Sequence, residues 1–391
     1  MKVGQFTDTF LPVVDGVGRV VSHYARQMGE LCEACYVITP QQNNLDPENP
    51  VYNVVEYNGI AVPKMHQYRI GLPALDPRYQ SRIAKVKLDI IHAHSPFAAG
   101  HEAYRVSHRQ GIPLVATFHS KYYDDFYQVT QSKTLSKLGN RIVMNFFCKC
   151  DQVWAVSKST AKVLRSYGYK DSIEVIENGT DLKELDMKAI QMTEELYNIG
   201  SEPMLLFVGQ MNWKKNIRRI LEAVDTLVRQ GRKLQLIMAG QGPSEREIHE
   251  LTASLGLDDV VTFTGHINDA RILDGLYARA DLFVFPSLYD NAPMVVREAA
   301  AIGTPSLLAA GSSAAEVVRD GENGLLANDN TMDMAERIAW AMDHPKELKE
   351  IGKAARQTIP KPWRDIVLEV LERYEDLIET NQRIRLRNSR M

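Results

Sequence analysis

The chain has little cysteine, with 4 in 391 residues. So few thiols in so long a chain exclude a disulfide scaffold and fit a reducing compartment. Cys32 and Cys35 form a CxxC, and Cys148 and Cys150 a CxC. Neither has histidines at zinc-finger spacing, so small buried thiols are expected rather than a metal site. Long apolar runs are missing too, and a membrane-crossing helix needs roughly 18 such residues. The opening MKVGQFTDTF is too short in apolar residues for a secretory leader and has no cleavage site. It reads as a strand, and a cytoplasmic protein is expected. An excess of positive charge is also absent: the formal net charge is -3, which gives no case for nucleic acid. What is present is ordinary for a globular protein, 45% hydrophobic and 24% charged residues. The length suggests two or more domains.

The most informative stretch is 286–305, PSLYDNAPMVVREAAAIGTP. It follows DLFVF at 281–285, an apolar run of the kind that forms a buried parallel strand. Turn-prone residues come next, and then a helical run that stops at Gly303 and Pro305. The first turn of such a helix offers unpaired N–H groups and a positive dipole end to an anion. Asp290 and Glu298 fall on either side of the turn, with Glu298 expected about two turns into the helix. An acid for each sugar and amides for the phosphates would suit a sugar nucleotide. A plain strand–helix unit with a solvated Asp and a surface Glu is the alternative.

The same alternation runs along the chain. Apolar runs at 3–7, 36–39, 89–92, 114–118, 154–156 and 174–176 read as strands, and a second series follows at 204–208, 234–239, 260–263, 281–285 and 306–308. Helical segments such as 19–31 and 217–229 lie between them. The fold class is therefore α/β, with two facing Rossmann-like domains, a cleft between them, and ligands at the carboxyl ends of the strands. Residues 1–190 are expected to form the first domain and 191–362 the second. Residues 363–391 are expected to be a helix crossing back to the first domain, followed by a disordered basic tail with Arg383, Arg385, Arg387 and Arg390. Gly16 and Gly18 open the first helix, where positive φ or close approach of a ligand is expected. Their loop lacks a full GxGxxG, which argues against a dehydrogenase. His94 and His119 fall at the carboxyl ends of strands. Residues 43–50 read as a polar surface loop and 311–316 as a further helix N-terminus. In 132–149, Lys133, Lys137 and Arg141 recur at four-residue spacing beside a face of Leu135, Leu138, Ile142 and Phe146. Such a basic amphipathic helix either lies on anionic lipid or is a domain helix with solvated cations.

In this order the motifs resemble those of retaining glycosyltransferases of the GT-B fold, in the large GT4 family. Asp290 to Glu298 matches the family's E-x7-E pattern with Asp in the first place. FVGQMNWKK at 207–215 resembles its diphosphate loop, ENGTD at 177–181 its linker, and GSSAAEVVRDGENG at 311–324 its last helix-and-turn element. In the first half, FTDTFLP at 6–12 with Asp15, Gly16 and Val17, HSPF at 94–97, and TFHS at 117–120 resemble bacterial diacylglycerol glucosyltransferases. So does the following group of Tyr122, Tyr123, Asp124 and Asp125. Related mannosyl- and sulfoquinovosyltransferases share these features.

The resemblance implies a metal-independent hexosyltransferase without cofactor. It would move a sugar, glucose from a UDP donor in the first instance, to a hydroxyl of a membrane lipid such as diacylglycerol or of a sugar. Glu298 would hold the ribose hydroxyls. Asp290 would contact the donor sugar, and the turn Asn291, Ala292, Pro293, Met294 and Val295 would lie on sugar and phosphate. Lys215 would bind the diphosphate with Gln210 and Lys214 beside it. Gly16 would let the first loop approach the reaction centre, and His119 would touch the sugar near the anomeric carbon. Catalysis would thus rest on His119, Asp290 and Lys215. The implied acceptor contacts are Asp15, His94, Tyr122, Tyr123 and Asp124. Charge grows on the leaving phosphate, and a lysine with helix-end amides stabilises it without a metal. Two positions depart from the family: Gln210 stands where arginine is usual, and Asp290 is one methylene shorter than Glu. They leave open a changed donor and a non-catalytic sugar-nucleotide binder, and a sugar-nucleotide epimerase or hydrolase on the same two-domain scaffold is a further alternative. The expected partners are a nucleotide-sugar donor and a lipid or sugar acceptor, with peripheral contact to the anionic inner face of the cell membrane and no nucleic acid.

Overall fold

The structure is a computed structural model that describes residues 1–11, 15–41, 51–62 and 65–388, with the backbone alone at 65–68 and 386–388. The expected loop at 43–50 lies outside the described residues. The chain divides into two compact units, Met1–Gly179 with Trp363–Met391, and Thr180–Pro362. The boundary expected at 190–191 falls inside the helix Met187–Tyr197, which packs in the second unit on the helix Ala270–Arg279.

The strands of the first unit are β1 (Lys2–Phe6), β2 (Ala34–Pro40), β3 (Asn53–Tyr57), β4 (Gly59–Val62), β5 (Met65–Gly71), β6 (Ile90–Ala93), β7 (Leu114–Phe118), β8 (Gln152–Ala155) and β9 (Ile173–Val175). Among the described residues, seven of them form a parallel sheet in the order β3-β2-β1-β6-β7-β8-β9. β4 and β5 make a separate antiparallel hairpin. The central strands β6 and β7 are buried at every position, as strands covered by helices on both faces must be. The helix Gly16–Leu31 lays Val20, Val21, Tyr24, Ala25 and Met28 on the core, an i, i+4, i+8 stripe. Strand order reverses between β1 and β6, so their carboxyl ends, leading to Asp8 and His94, border the switch-point crevice.

The second unit repeats the plan with β10 (Met204–Val208), β11 (Gln235–Ala239), β12 (Val261–Gly265), β13 (Leu282–Phe285), β14 (Ser306–Ala309) and β15 (Leu325–Ala327). These form a parallel sheet in the order β12-β11-β10-β13-β14-β15. The reversal lies between β10 and β13. The loops leaving those two strands carry Lys215 and Asp290.

The C-terminal helix, Trp363–Asn388, belongs to the first unit, where Trp363, Ile366, Val367, Val370 and Tyr374 are buried. Trp363 stacks on His23 with ring centroids 4.5 Å apart, and Tyr374 stacks on Trp154 at 5.7 Å. A Cβ at Gly179 would fall 2.6 Å from the Trp363 ring, so only glycine lets the chain pass there.

Several expectations are corrected. The basic tail is helical through Asn388; Arg383 pairs with Glu379, and Arg385 Nη1 donates to the Gly111 carbonyl at 2.8 Å. The sequence does not mark β3, the β4–β5 hairpin or β15, because β3 is a five-residue edge strand interrupted by Asn53 and Glu56 and β15 has only three residues. Residues 314–317 form a single 3-10 turn, not the start of an α-helix. Cys148 is exposed, whereas Cys35 is buried as expected.

Candidate active site

The second-unit residues that the resemblance assigns to the donor lie on the loops that follow β10 and β13 and on the helix Met294–Ile302. Gly240 lies at φ +139° with its Cα against the Gly209 carbonyl, a conformation and approach that only glycine permits. This places the 209–216 loop over the sheet edge. Asn212 then caps the turn Trp213–Lys215 by accepting from Lys214 N at 3.1 Å. Lys215 ends the turn, and its ammonium lies 2.5 Å from Asp290 Oδ1. Asn216 follows in the left-handed region and donates to the Pro286 carbonyl at 3.3 Å, tying the two loops together.

Asp290 is thus held on one oxygen by a cation. Its other oxygen, Oδ2, is buried and has no hydrogen-bond partner among the described residues. A buried carboxylate oxygen left unsatisfied costs about 1–3 kcal/mol, so the position favours an incoming hydrogen-bond donor. Lys214 is not idle: its ammonium sits 4.1 Å over the Tyr289 ring, a cation–π contact that holds it beside the same loop. Gln210 is exposed.

The helix Met294–Ile302 begins here without a side-chain cap. Pro293 has no N–H, so the donors of the first turn are Met294, Val295 and Val296 rather than the whole turn from Asn291. Glu298 is the fifth residue of this helix, a little more than one turn in rather than two. It is buried, and its Oε2 accepts from Tyr277 Oη at 3.2 Å.

The sequence-predicted residues of the first unit sort differently. Asp15 is the N-cap of the helix Gly16–Leu31: it accepts from Gly18 N at 2.6 Å and from Thr9 Oγ1 at 3.2 Å. Burial pushes its carboxyl above the usual range. Both bonds use the same oxygen, so the cap occupies one side of the carboxylate. Gly16 and Gly18 lie at ordinary negative φ, against the expectation of a left-handed turn, but a Cβ at Gly16 would meet nothing within 4 Å, so space for a ligand is present. Tyr122 is a core aromatic among Phe97, Phe118 and Phe147, not a surface contact. Tyr123 is half-buried, its backbone N–H donating to Tyr167 Oη at 3.2 Å, and Asp124 is exposed.

His94 is 1% exposed, so its ring lies in the interior of the first unit. Its Nδ1 lies 3.2 Å from His119 Nε2, and its Nε2 2.6 Å from Gln5 Oε1. His92 lies tilted against it with ring centroids 4.1 Å apart, bonded to Tyr374 Oη at 2.6 Å and Thr117 Oγ1 at 2.7 Å. Burial holds all three imidazoles neutral, His92 and His94 well below the ordinary value and His119 down to about 4. The unfolded chain therefore takes up protons that the folded one refuses. Their contribution to stability is complete above about pH 6.5 and falls as the pH drops toward 4, by about 1.4 kcal/mol per pH unit for each histidine. Asp8 works the other way: burial raises its carboxyl to about 7, so the fold gains from that proton as the pH drops. Urea titrations at pH 7.5 and 5.5 should therefore show about 1.4 kcal/mol less loss in His119→Gln than in the wild type. The same pH dependence in both proteins would contradict a neutral His119.

Comparison with known proteins fixes the family. The sequence pattern described as "Glycosyltransferase Family 4" matches residues 14–184, and that described as "Glycosyl transferases group 1" matches residues 193–358. The chain belongs to the GT4 glycosyltransferases. It is an enzyme that transfers a sugar from a nucleotide-sugar donor. This glycosyltransferase is 23% identical over 98% of its length to an alpha-monoglucosyldiacylglycerol synthase of Acholeplasma laidlawii, covering 99% of that protein. It is 25% identical over 99% of its length to a GDP-mannose-dependent alpha-mannosyltransferase of Corynebacterium glutamicum, covering 91% of it. Among solved structures it resembles HepE of Anabaena in complex with UDP, with TM-score 0.79, 19% identity, and 96% and 100% of the two chains covered. It also resembles a sucrose-phosphate synthase of Thermosynechococcus elongatus, with TM-score 0.80, 21% identity, and 97% and 99% coverage. These neighbours are GT-B proteins with two Rossmann-like domains, the fold expected from the alternation of strands and helices.

Sequence reading missed several residues of the site. Ser287 is fully buried and accepts from Tyr289 N at 3.3 Å and Asp290 N at 3.4 Å, shaping the loop that carries Asp290. Asn216, Tyr277, Gln5 and Tyr374 position others, and their partners are distant in sequence, so no local signal marks them.

Proposed function

We propose that this glycosyltransferase moves glucose, with retention, from UDP-glucose to the hydroxyl of a membrane diacylglycerol-type lipid, without a metal. The leaving group is a nucleoside diphosphate. Lys215 and the uncapped amides of the helix Met294–Ile302 supply the positive charge that a metal would otherwise bring. Asp290 Oδ2 accepts from a sugar hydroxyl, and Glu298, steadied by Tyr277, accepts from the ribose. Gln210 leaves the usual arginine position without charge, and Lys214, pinned on Tyr289, provides a second cation. The leaving phosphate serves as base for the acceptor hydroxyl, so no protein nucleophile takes part. His119 contacts the sugar.

The observation that carries the lipid acceptor is the outer face of the helix Lys133–Phe147. Leu135, Leu138 and Ile142 are 52%, 56% and 52% exposed. Lys133, Lys137 and Arg141 are exposed beside them, while Val143, Met144, Phe146 and Phe147 face the core. An apolar stripe flanked by cations and turned to solvent suits a peripheral contact with anionic lipid. No helix among the described residues is long and apolar enough to cross a membrane. Each cation near an anionic surface contributes about 1 kcal/mol. Changing Lys133, Lys137 and Arg141 together to Gln should therefore weaken binding to phosphatidylglycerol vesicles about a hundredfold, read by co-sedimentation at low salt. A wild-type protein that stays in the supernatant would refute the membrane contact. The transfer itself is tested by a panel of nucleotide sugars against diacylglycerol vesicles and soluble sugars, with NMR of the product. A new α-glycoside of the lipid is expected. An isomerised or merely hydrolysed donor would refute transfer, and turnover only on soluble sugars would refute the lipid acceptor.

A further inference from the structure

Lys215 and Asp290 form an ion pair that is fixed from both sides. The ammonium lies 2.5 Å from Asp290 Oδ1, and the two side chains are only 16% and 20% exposed. Asn212 caps the turn that ends at Lys215, and Asn216 ties that turn to the Pro286 carbonyl. On the other side, Ser287 Oγ accepts from the Asp290 amide at 3.4 Å. An ammonium has three N–H donors, and Asp290 is the one hydrogen-bond acceptor that Lys215 Nζ meets among the described residues. Two donors therefore remain for an incoming anion, which joins the pair without breaking it. A phosphate oxygen bonded to the same nitrogen at about 2.8 Å then lies within about 5 Å of the carboxylate. One cation thus holds two like charges together. With Gln210 uncharged, Lys214, 4.1 Å over the Tyr289 ring, is the other cation of these two loops.

We propose that Asp290 discriminates between donor and product by charge: it shares Lys215 with the diphosphate and loosens the hold on free UDP, which favours product release. This rests on the reading that Lys215 binds the diphosphate and Asp290 the sugar. The donor's terminal phosphate carries one negative charge, because its other acidic oxygen is esterified to the sugar. A sugar hydroxyl donating to Asp290 Oδ2 offsets the repulsion. While the bond to the sugar breaks, positive charge grows on the sugar beside the same carboxylate. Once the sugar has moved, only the repulsion is left. The leaving phosphate takes the acceptor's proton and then yields it to water, since its second pKa is about 6, so free UDP carries close to two charges there. Two charges about 5 Å apart change affinity by roughly fourfold per unit charge even at the dielectric of bulk water, and by more in an enclosed site. The carboxylate therefore disfavours the product more than the donor.

The test is calorimetry at pH 8 on the full chain with three probes: UDP, its β-methyl ester, which has the donor's charge and no sugar, and UDP-glucose. Asp290→Asn keeps the shape and removes the charge. UDP should then bind roughly tenfold tighter or more, and the methyl ester about fourfold tighter. UDP-glucose should bind no tighter, because relief of the repulsion is cancelled by the loss of its charge-assisted hydroxyl bond. Asp290→Glu restores the charge and should leave the ratio of UDP to methyl-ester affinity as in the wild type. The proposal is overturned if Asp290→Asn changes that ratio by less than about twofold, or if Asp290→Glu shifts it as far as Asp290→Asn does. Lys215→Ala separates this claim from the reading beneath it. If it weakens UDP binding about tenfold or more while Asp290→Asn leaves the ratio unchanged, the diphosphate sits on the lysine and only the charge discrimination falls. If it leaves UDP affinity unchanged, the diphosphate lies elsewhere and both fall.

Discussion

Lys215→Ala is expected to lower kcat by about a hundredfold or more at saturating donor. One preorganised donor aimed at developing charge contributes about 2.7–4 kcal/mol to the barrier, or two to three decades in rate. Lys215 meets the structural condition for such a donor. It closes a rigid turn, is 16% exposed, and is held 2.5 Å from Asp290. Its ammonium is positioned before the substrate arrives and pays little reorganisation during reaction. The charge it serves is larger in the transition state than in the bound donor, so kcat should suffer more than KM. Lys215→Arg should recover part of the loss by restoring the cation. Steady-state kinetics decide the matter, and a Lys215→Ala enzyme with wild-type kcat would remove the lysine from the mechanism.

The second large effect is expected in binding. Glu298→Ala should raise the Kd for UDP about a hundredfold, and Glu298→Gln about tenfold. A carboxylate that accepts from two ribose hydroxyls makes two charge-assisted bonds of roughly 1.5–3 kcal/mol each. Each 1.4 kcal/mol lost is a factor of ten. Glu298 is buried and fixed by Tyr277 Oη, so the site does not relax to compensate. Because the ribose is remote from the reacting bond, the loss should appear as donor affinity with kcat little changed. Calorimetry with UDP measures it directly. An unaltered Kd in Glu298→Ala would place the ribose elsewhere.

The fold was legible because both sheets are built from buried parallel strands. Runs such as MLLFV in β10 and LVATF in β7 are apolar at nearly every position, and the helix Ile217–Arg229 carries a clean stripe of Ile217, Ile220, Leu221, Val224 and Leu227. The β4–β5 hairpin was not legible, because its glycine-bounded segments show neither a helical nor a strictly alternating pattern. The end of the C-terminal helix was misread because charge dominates it, whereas contacts such as Arg385 to Gly111, 274 residues apart, are made in three dimensions. The site divides in the same way. Asp290 and Glu298 announce themselves by spacing around one turn. That Lys215 touches Asp290 across 75 residues cannot be read from spacing. Neither can the burial of His94, since a histidine just past a strand can face inward or outward, and only Gln5 and Tyr374 settle which.

The account depends most on where the diphosphate sits, and a crystal structure of the full chain with UDP tests that directly. It should show the phosphate oxygens within hydrogen-bond distance of Lys215 Nζ and of the Met294 and Val295 amides, with the ribose hydroxyls on Glu298. A nucleotide bound away from the loops that follow β10 and β13 would contradict it.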